Sequence, residues 1–341
     1  MKHRILFGAG VLAVGLAMGA QAQTSSGSKT LDDVRAGGML ACGVTPGVAG
    51  FSLPDSQGVW RGIDADGCRA MAAAVLGDPN KVKYVPLSTT NRFTALQSGE
   101  IDILLRETTW TLDREASLGL EFAGVNYYDG TGFLVKKSMN VTSAKQLDGA
   151  TICVEPGTTT ELAIADYFRR NNITFKPVEI QDLQQIRQAF LSGRCDAYST
   201  DSSALAGFRF QQGAHASDFV LLPELISKEP LGPVVRKDDD KWFDIARWVL
   251  IAQIQAEESG VTQANVDQMM SSTNPDIRRL LGVEGDMGKA LGIDNKWAYN
   301  VIKAVGNFGE MWDRDITPMG VTRGINQIWT KGGLMYAPPM H

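Results

Sequence analysis

Residues 99–114 hold the densest run of groups able to grip a small anion. Glu107, Thr108, Thr109, Trp110 and Arg114 follow directly on the apolar run 101–105. A buried strand that ends in a hydroxyl-rich loop offers free backbone N–H groups and threonine hydroxyls to a carboxylate. A guanidinium a few residues on, Arg114, can hold both carboxylate oxygens at once. The competing account is local: Thr111 or Asp113 caps a short helix, and Arg114 pairs on the surface with Asp113 or Glu115. Elsewhere the chain shows no converging Ser-His-Asp order, no metal cluster and no Gly-x-x-x-x-Gly-Lys phosphate loop.

Those groups need a scaffold. A helix begins near Thr30 or Asp32 and ends at Gly37-Gly38, and 39–44 reads as the first strand. Residues 45–59 form a Pro/Gly-bearing loop of the kind that faces ligands in α/β sheets. A helix over 67–76 follows, with Cys68, Met71, Ala72 and Val75 on one face. Then come a strand at 83–87, a short helix at 89–96 and the strand 101–105. This order predicts a mostly parallel sheet flanked by helices. Residues 119–132 read as a loop.

Beyond that loop the same pattern restarts. Strands are expected at 133–135, 151–154, 178–180 and 195–199, and helices at 162–171 and 183–192. The phrases Gln97-Ser98-Gly99-Glu100-Ile101-Asp102 and Leu191-Ser192-Gly193-Arg194-Cys195-Asp196 echo one another. Each joins a helix end to a strand and then a hydroxyl-rich loop, so two α/β units with facing loops are expected. An extended segment at 230–235 crosses back. Helices follow over 242–259, from Pro275 to about 281 and over 297–311, and the tail from 317 is loop-rich.

The chain has 341 residues, 44% of them apolar, enough for two domains with their own cores. Lys2, His3 and Arg4, the apolar run 5–18 and Ala20-Gln21-Ala22 form an export signal with cleavage after Ala22. The run is too short to span a bilayer, so no membrane insertion is expected. Cleavage removes Lys2 and Arg4 and no acid, which takes the formal charge from −5 to −7. That balance disfavours nucleic acid and anionic membranes as partners. Residues 23–29 are Ser/Gly/Gln-rich and read as disordered.

An even count of cysteines in an exported chain favours disulfides. Cys42, Cys68, Cys153 and Cys195 allow three pairings. Cys42–Cys68 with Cys153–Cys195 is preferred because each bridge then stays within one unit. There is no Cys-x-x-Cys, and His215 and His341 lie far from any cysteine, so no metal or cofactor is expected.

The order export signal, α/β lobe, crossing, second α/β lobe, return crossing resembles the periplasmic solute-binding proteins of polar amino acid ABC importers, solute-binding protein family 3. Within it the chain is similar to the general L-amino-acid-binding subgroup. The phrases that carry the resemblance are Gly62-Ile63-Asp64-Ala65-Asp66-Gly67-Cys68, Arg92-Phe93-Thr94-Ala95-Leu96, residues 106–114, Gly124-Val125-Asn126-Tyr127-Tyr128-Asp129-Gly130, Pro156-Gly157-Thr158-Thr159-Thr160-Glu161 and Trp329-Thr330-Lys331-Gly332-Gly333. Together they span nearly the whole mature chain.

This resemblance implies an α/β two-lobed periplasmic binding protein fold of type II, each lobe a mostly parallel sheet flanked by helices, with the ligand cleft between lobes. Lobe 1 would take 23–132 and 233–341, the latter with a C-terminal helical extension, and lobe 2 would take 133–232. The resemblance further implies that a ligand carboxylate meets Arg114, Thr109, the backbone of Glu107 and Thr159, with Thr158 beside it, and that Asp201 holds the ligand ammonium. Blander roles compete: Asp201 as cap of a helix starting at Ser202, and Thr158 and Thr159 as caps only. Arg92 is either a solvated helix residue or a contact to the ligand side chain, and Trp110 and Phe51 are either core or a packing wall. Several relatives place an aromatic in the first loop where this chain has Val48, with Phe51 three residues on.

The function so implied is reversible binding of L-amino acids with hinge closure, and delivery to an inner-membrane ABC permease by a periplasmic monomer. The alternative is an enzyme on the same fold, a periplasmic cyclohexadienyl or arogenate dehydratase, with Glu107 or Glu155 as general acid.

Overall fold

The computed structural model describes residues 26–340, so the export signal expected at 1–22 lies outside the described residues. Two five-stranded sheets form the framework. The first runs Val82–Pro86, Leu40–Val44, Ile103–Leu104, Val234–Arg236, Leu120–Phe122. The second runs Phe175–Glu179, Ala150–Val154, Ala197–Asp201, Thr131–Lys136, Phe219–Leu221. In each, the first three strands are parallel and the fourth is antiparallel to both its neighbours. The repeated pattern expected from the two echoing phrases is therefore a repeated strand order.

In both sheets the fourth strand is supplied by the chain just after it has crossed from the other unit. The crossings are residues 123–130 and 222–233. They pair with one another through Tyr127–Asp129 and Glu229–Leu231, with Tyr127 opposite Leu231. Gly232 shows how closely they approach: a Cβ there would lie 1.9 Å from the carbonyl oxygen of Gly124, so no larger residue fits. The loop expected at 119–132 is thus largely strand, because its backbone groups find partners in segments distant in sequence, 229–236 and 200–201. The whole of Thr131–Lys136 pairs in the second sheet, so a lobe boundary between 132 and 133 would cut a strand.

Both disulfides have the favoured pairing. Cys42 and Cys68 are 6.0 Å apart at Cα and Cys153 and Cys195 are 5.6 Å apart. The first ties Leu40–Val44 to the helix Ile63–Leu76, and the second ties Ala150–Val154 to the turn before Ala197–Asp201. Each bridge therefore sits beneath strands that run toward the facing loops.

The helix Asp240–Glu258 buries Trp242, Ile245, Ala246 and Val249 against the first unit. The single helix expected over 297–311 is two, Trp297–Val305 and Phe308–Asp315. Gly306 at φ 85° ends the first, and Asn307 and Glu310 cap the second reciprocally. Arg314 and Arg69 both pair with the fully buried Asp66, which pins the extension to the helix Ile63–Leu76. In the tail, Arg323 grips Glu257 in a fork of 2.7 and 2.6 Å. Residues 26–28, expected to be disordered, are tied down: Ser28 caps the helix Lys29–Gly37 and donates to Asp239 at 3.0 Å.

Candidate functional site

The parallel strands of both sheets point their C-terminal ends at one narrow cavity of about 40 Å³, the location expected for ligands in α/β sheets. On the scale where one water needs about 10–15 Å³, it has room for a few small groups. Its lining includes Arg92, Arg106, Glu107, Thr109 and Arg114 from the first unit and Glu155, Thr158, Thr159, Arg187 and Asp201 from the second.

The 101–105 run delivers its loop as expected, and tertiary contacts fix it. Trp110 N–H donates to the Pro230 carbonyl at 2.8 Å and Gly232 N–H to that of Thr108 at 3.1 Å, so the loop is held by the return crossing. Thr111 caps the short helix Leu112–Ser117, accepting from the Arg114 N–H at 3.2 Å. Thr111 is the cap, while the Arg114 side chain turns inward instead of pairing on the surface with Asp113 or Glu115. It is 7% exposed, donates to the Thr109 carbonyl at 2.9 Å and lies 5.2 Å from the Phe93 ring centre. Arg92 approaches the same ring at 4.8 Å. One aromatic thus positions two guanidiniums.

Glu107 has φ 41°, a conformation uncommon for a residue with a Cβ. Its N–H donates at 2.9 Å to Asp64, whose other oxygen accepts from Asn126 at 3.1 Å. This corrects the role expected for the Glu107 backbone: its donor is already taken and cannot serve a ligand carboxylate. Burial raises the Asp64 carboxyl to about 6 against those two hydrogen bonds. Burial, followed by the charges of Asp64 and Asp201, holds Glu107 well above the usual carboxylate range.

On the facing side, Thr158 caps the helix Thr159–Arg170 by accepting from the Glu161 N–H at 3.3 Å. Its hydroxyl donates to the Glu155 carbonyl at 2.8 Å. Thr159 donates its hydroxyl proton to Glu229 at 2.8 Å and sits 3.4 Å from the Thr109 hydroxyl across the cavity. What remains here for an anion is the helix N-terminus, where the first N–H groups have no partner within the helix.

Asp201 ends the strand Ala197–Asp201 and precedes the helix Ser202–Gln211, yet its side chain makes no capping hydrogen bond. Asp129 from the first crossing does that work, accepting from the N–H of Ser203 at 3.2 Å and from its hydroxyl. Asp201 is left facing the cavity, buried to 9% exposure. Burial, then the carboxylates of Asp129 and Glu229, raise its pKa well above the ordinary range, while Arg92 and Arg114 oppose. Burial and the nearby guanidiniums of Arg106 and Arg114 in turn pull Arg92 well below its usual value. Among the described residues, no ion pair within 4.0 Å joins Arg92, Arg106, Arg114 or Arg187 to a carboxylate. Opposite charges are buried together and kept apart.

Two expected wall residues are elsewhere. Phe51 is buried in the core, 5.3 Å from the Tyr127 ring. Trp110 faces outward, 37% exposed, stacked on Phe122 and donating to Glu115 at 2.9 Å. Val48 does line the cavity, as does Tyr198. Thr45, Thr89, Arg106, Arg187 and Tyr198 were not singled out from the sequence. Thr45 and Thr89 follow strand ends of the first sheet and could have been found by the strand-end rule. Arg187 sits in the middle of the helix Leu183–Leu191, and nothing in its neighbours marks it.

A two-lobed α/β protein with paired crossings and a charged cavity between its lobes is a binding protein of the type II class. Residues 40–268 match the bacterial extracellular solute-binding proteins, family 3, and the chain belongs to that family. It is 54% identical to the glutamate/glutamine/aspartate/asparagine-binding protein of Rhodobacter capsulatus over 99% of both chains. It is 52% identical to the general L-amino acid-binding periplasmic protein of Rhizobium johnstonii over 100% of each. A solved periplasmic binding protein of an ABC transporter from Brucella ovis, with glutathione bound, superposes with a TM-score of 0.89 at 52% identity, covering 92% of this chain and 99% of that one.

Proposed function

We propose that this protein is the exported substrate-binding component of an ABC importer, which holds an L-amino acid reversibly between its lobes and presents it to a membrane permease. One observation carries this: Arg114 and Asp201 come from different lobes, are buried in the same cavity and do not pair with one another. Two such charges suit the two ends of a zwitterion. Arg114, the Thr109 hydroxyl and the helix N-terminus at Thr159 receive the carboxylate, and Asp201 receives the ammonium. Because the groups belong to different lobes, binding and closure are one event. The hinge is the paired crossings 123–130 and 222–233. The mature chain begins after Ala22, in the periplasm, and acts as a monomer without chemical turnover.

Calorimetry of the mature protein, unfolded to strip ligand and refolded, against the common L-amino acids and glutathione tests this reading. Several are expected to bind one to one. Glutathione belongs in the panel because its γ-glutamyl end carries the same free ammonium and carboxylate. Absence of heat with every ligand sinks the proposal. Turnover of arogenate or prephenate, lost in Glu107→Gln, would establish the dehydratase instead.

A pH dependence follows from Asp201. Burial and the carboxylates of Asp129 and Glu229 push its pKa up, and wherever it is protonated in the free protein that proton must leave before the ammonium is held. Affinity should therefore fall as pH is lowered, approaching about tenfold per pH unit once Asp201 is protonated in the free protein. A ligand without a titrating side chain, such as L-alanine, isolates the effect. The measured heat should vary with the ionisation enthalpy of the buffer, in the direction of proton release. A flat profile with buffer-independent heats rules this linkage out.

A further inference from the structure

The two units also touch beyond the cavity. Val48 and Ala204 line the cavity from opposite units. Ala49 and Gly207 continue the same two surfaces outside it, Gly207 being one turn along the helix from Ala204. Gly207 is buried within the helix Ser202–Gln211. A Cβ there would lie 2.7 Å from the Ala49 carbonyl oxygen and 3.3 Å from the Met319 Sδ. Glycine weakens a helix interior, and what it permits here is this close approach.

Met319 comes from the C-terminal extension, at the end of the turn Thr317–Met319. Its side chain lies between two glycines of different units. A Cβ at Gly50 would meet the Met319 Cε at 2.5 Å and the Ile316 Cδ1 at 3.1 Å. An unbranched thioether suits such a gap. The extension itself is fastened to the first unit and to the crossings. Ile316 is fully buried, and Trp312 stacks 5.2 Å from the Tyr127 ring. Asn326 holds both backbone groups of Tyr128, accepting from its N–H at 2.7 Å and donating to its carbonyl at 3.0 Å. When the lobes part about the crossings, Ala49 and Met319 stay with the first unit and Gly207 leaves with the second.

We infer that Met319 and Ala49 form a latch that seats Gly207 only when the lobes are closed, so that the C-terminal extension favours closure whatever ligand fills the cleft. A contact made in one of two states and lost in the other shifts the balance between them. Ligand is held in the closed state, so the latch strengthens every ligand by the same factor and selects none. Met319 also fastens the extension to the first unit, so a purely mechanical role must be separated from closure.

Two variants approach the latch from opposite sides. Binding of L-glutamate and L-alanine is measured by calorimetry on the mature, ligand-stripped wild type, Met319→Ala and Gly207→Ala, with thermal melts of the ligand-free forms. Each variant is expected to weaken both ligands by at least about fivefold and to leave their affinity ratio unchanged. Ligand-free Gly207→Ala should melt no lower than wild type, because alanine favours the helix and the parted lobes leave room for its methyl group. Its lost affinity is then a loss of closure and not of fold. Affinities within about twofold of wild type in Gly207→Ala overturn the latch. So does a changed glutamate-to-alanine ratio, which would place these residues in ligand recognition. A Met319→Ala protein that melts lower yet binds as wild type shows that the thioether only fastens the extension, and overturns it too. A wild type that binds neither ligand strikes the amino-acid reading instead. Small-angle scattering of the ligand-free proteins then decides the latch: Gly207→Ala must be more expanded than wild type, and identical curves overturn it.

Discussion

Asp201→Asn is expected to abolish most amino-acid binding while making the ligand-free protein melt at a higher temperature. The loss of affinity should be about 2–5 kcal/mol, because the ligand ammonium would be buried without its counter-charge. The gain in stability has the opposite sign for a specific reason. Burial and the carboxylates of Asp129 and Glu229 raise the folded-state pKa of Asp201. As pH rises past the unfolded-state pKa, the unfolded chain releases a proton that the folded site keeps, and stability falls until the folded pKa is reached. Asparagine removes that cost at neutral pH and leaves the shape nearly unchanged. Paired calorimetry and thermal melts check both halves. Affinity within about twofold of wild type means that Asp201 does not hold the ammonium. A lower melting temperature means that the carboxylate is needed by the fold.

The second large effect concerns the disulfides. Replacing both cysteines of a bridge by serine should cost about 3.5 kcal/mol for Cys42–Cys68 and about 4 kcal/mol for Cys153–Cys195, from the entropy of the loops they close in the unfolded chain. The larger loss belongs to the second because its sequence separation is 42 rather than 26. Urea unfolding measures it. Since each bridge lies behind strands that lead to the cavity rather than in its wall, ligand affinity well below the melting temperature should change little. A cost under about 1 kcal/mol would show that the unfolded chain is already constrained near that bridge.

The sequence made much of the framework legible because the signals are local. Apolar runs of strand length, helix ends at Gly37-Gly38 and Gly99, and the Gly-Thr-Thr turn each depend on a few neighbouring residues. The two echoing phrases at 97–102 and 191–196 pointed to a structural repeat with facing loops, and its strand order emerged only in the sheets. Local signals do not record partners that lie far away in sequence. Tyr127–Asp129 looked like loop because it pairs with Glu229–Leu231, about a hundred residues away. Phe51 and Trp110 looked like ligand walls because aromatics suit either role, and only packing places one in the core and the other outside. The helix expected over 297–311 hid a break, although Gly306 and the spacing from Asn307 to Glu310 were there to be read.

By itself the sequence determined the two α/β units and favoured their disulfide pairing, and the resemblance singled out Arg114 and Asp201. These rest on residue type, periodicity and short motifs, all properties of contiguous chain. Only the tertiary structure decided that Arg114 turns inward from a helix Thr111 caps, that Asp129 rather than Asp201 serves the helix at Ser202, that the Glu107 N–H is spent on Asp64, and that Arg187 enters the cavity. The reason is common to all four. Which way a polar side chain points is set by the hydrogen-bond partners and burial that segments far apart in sequence supply, and no local pattern records them.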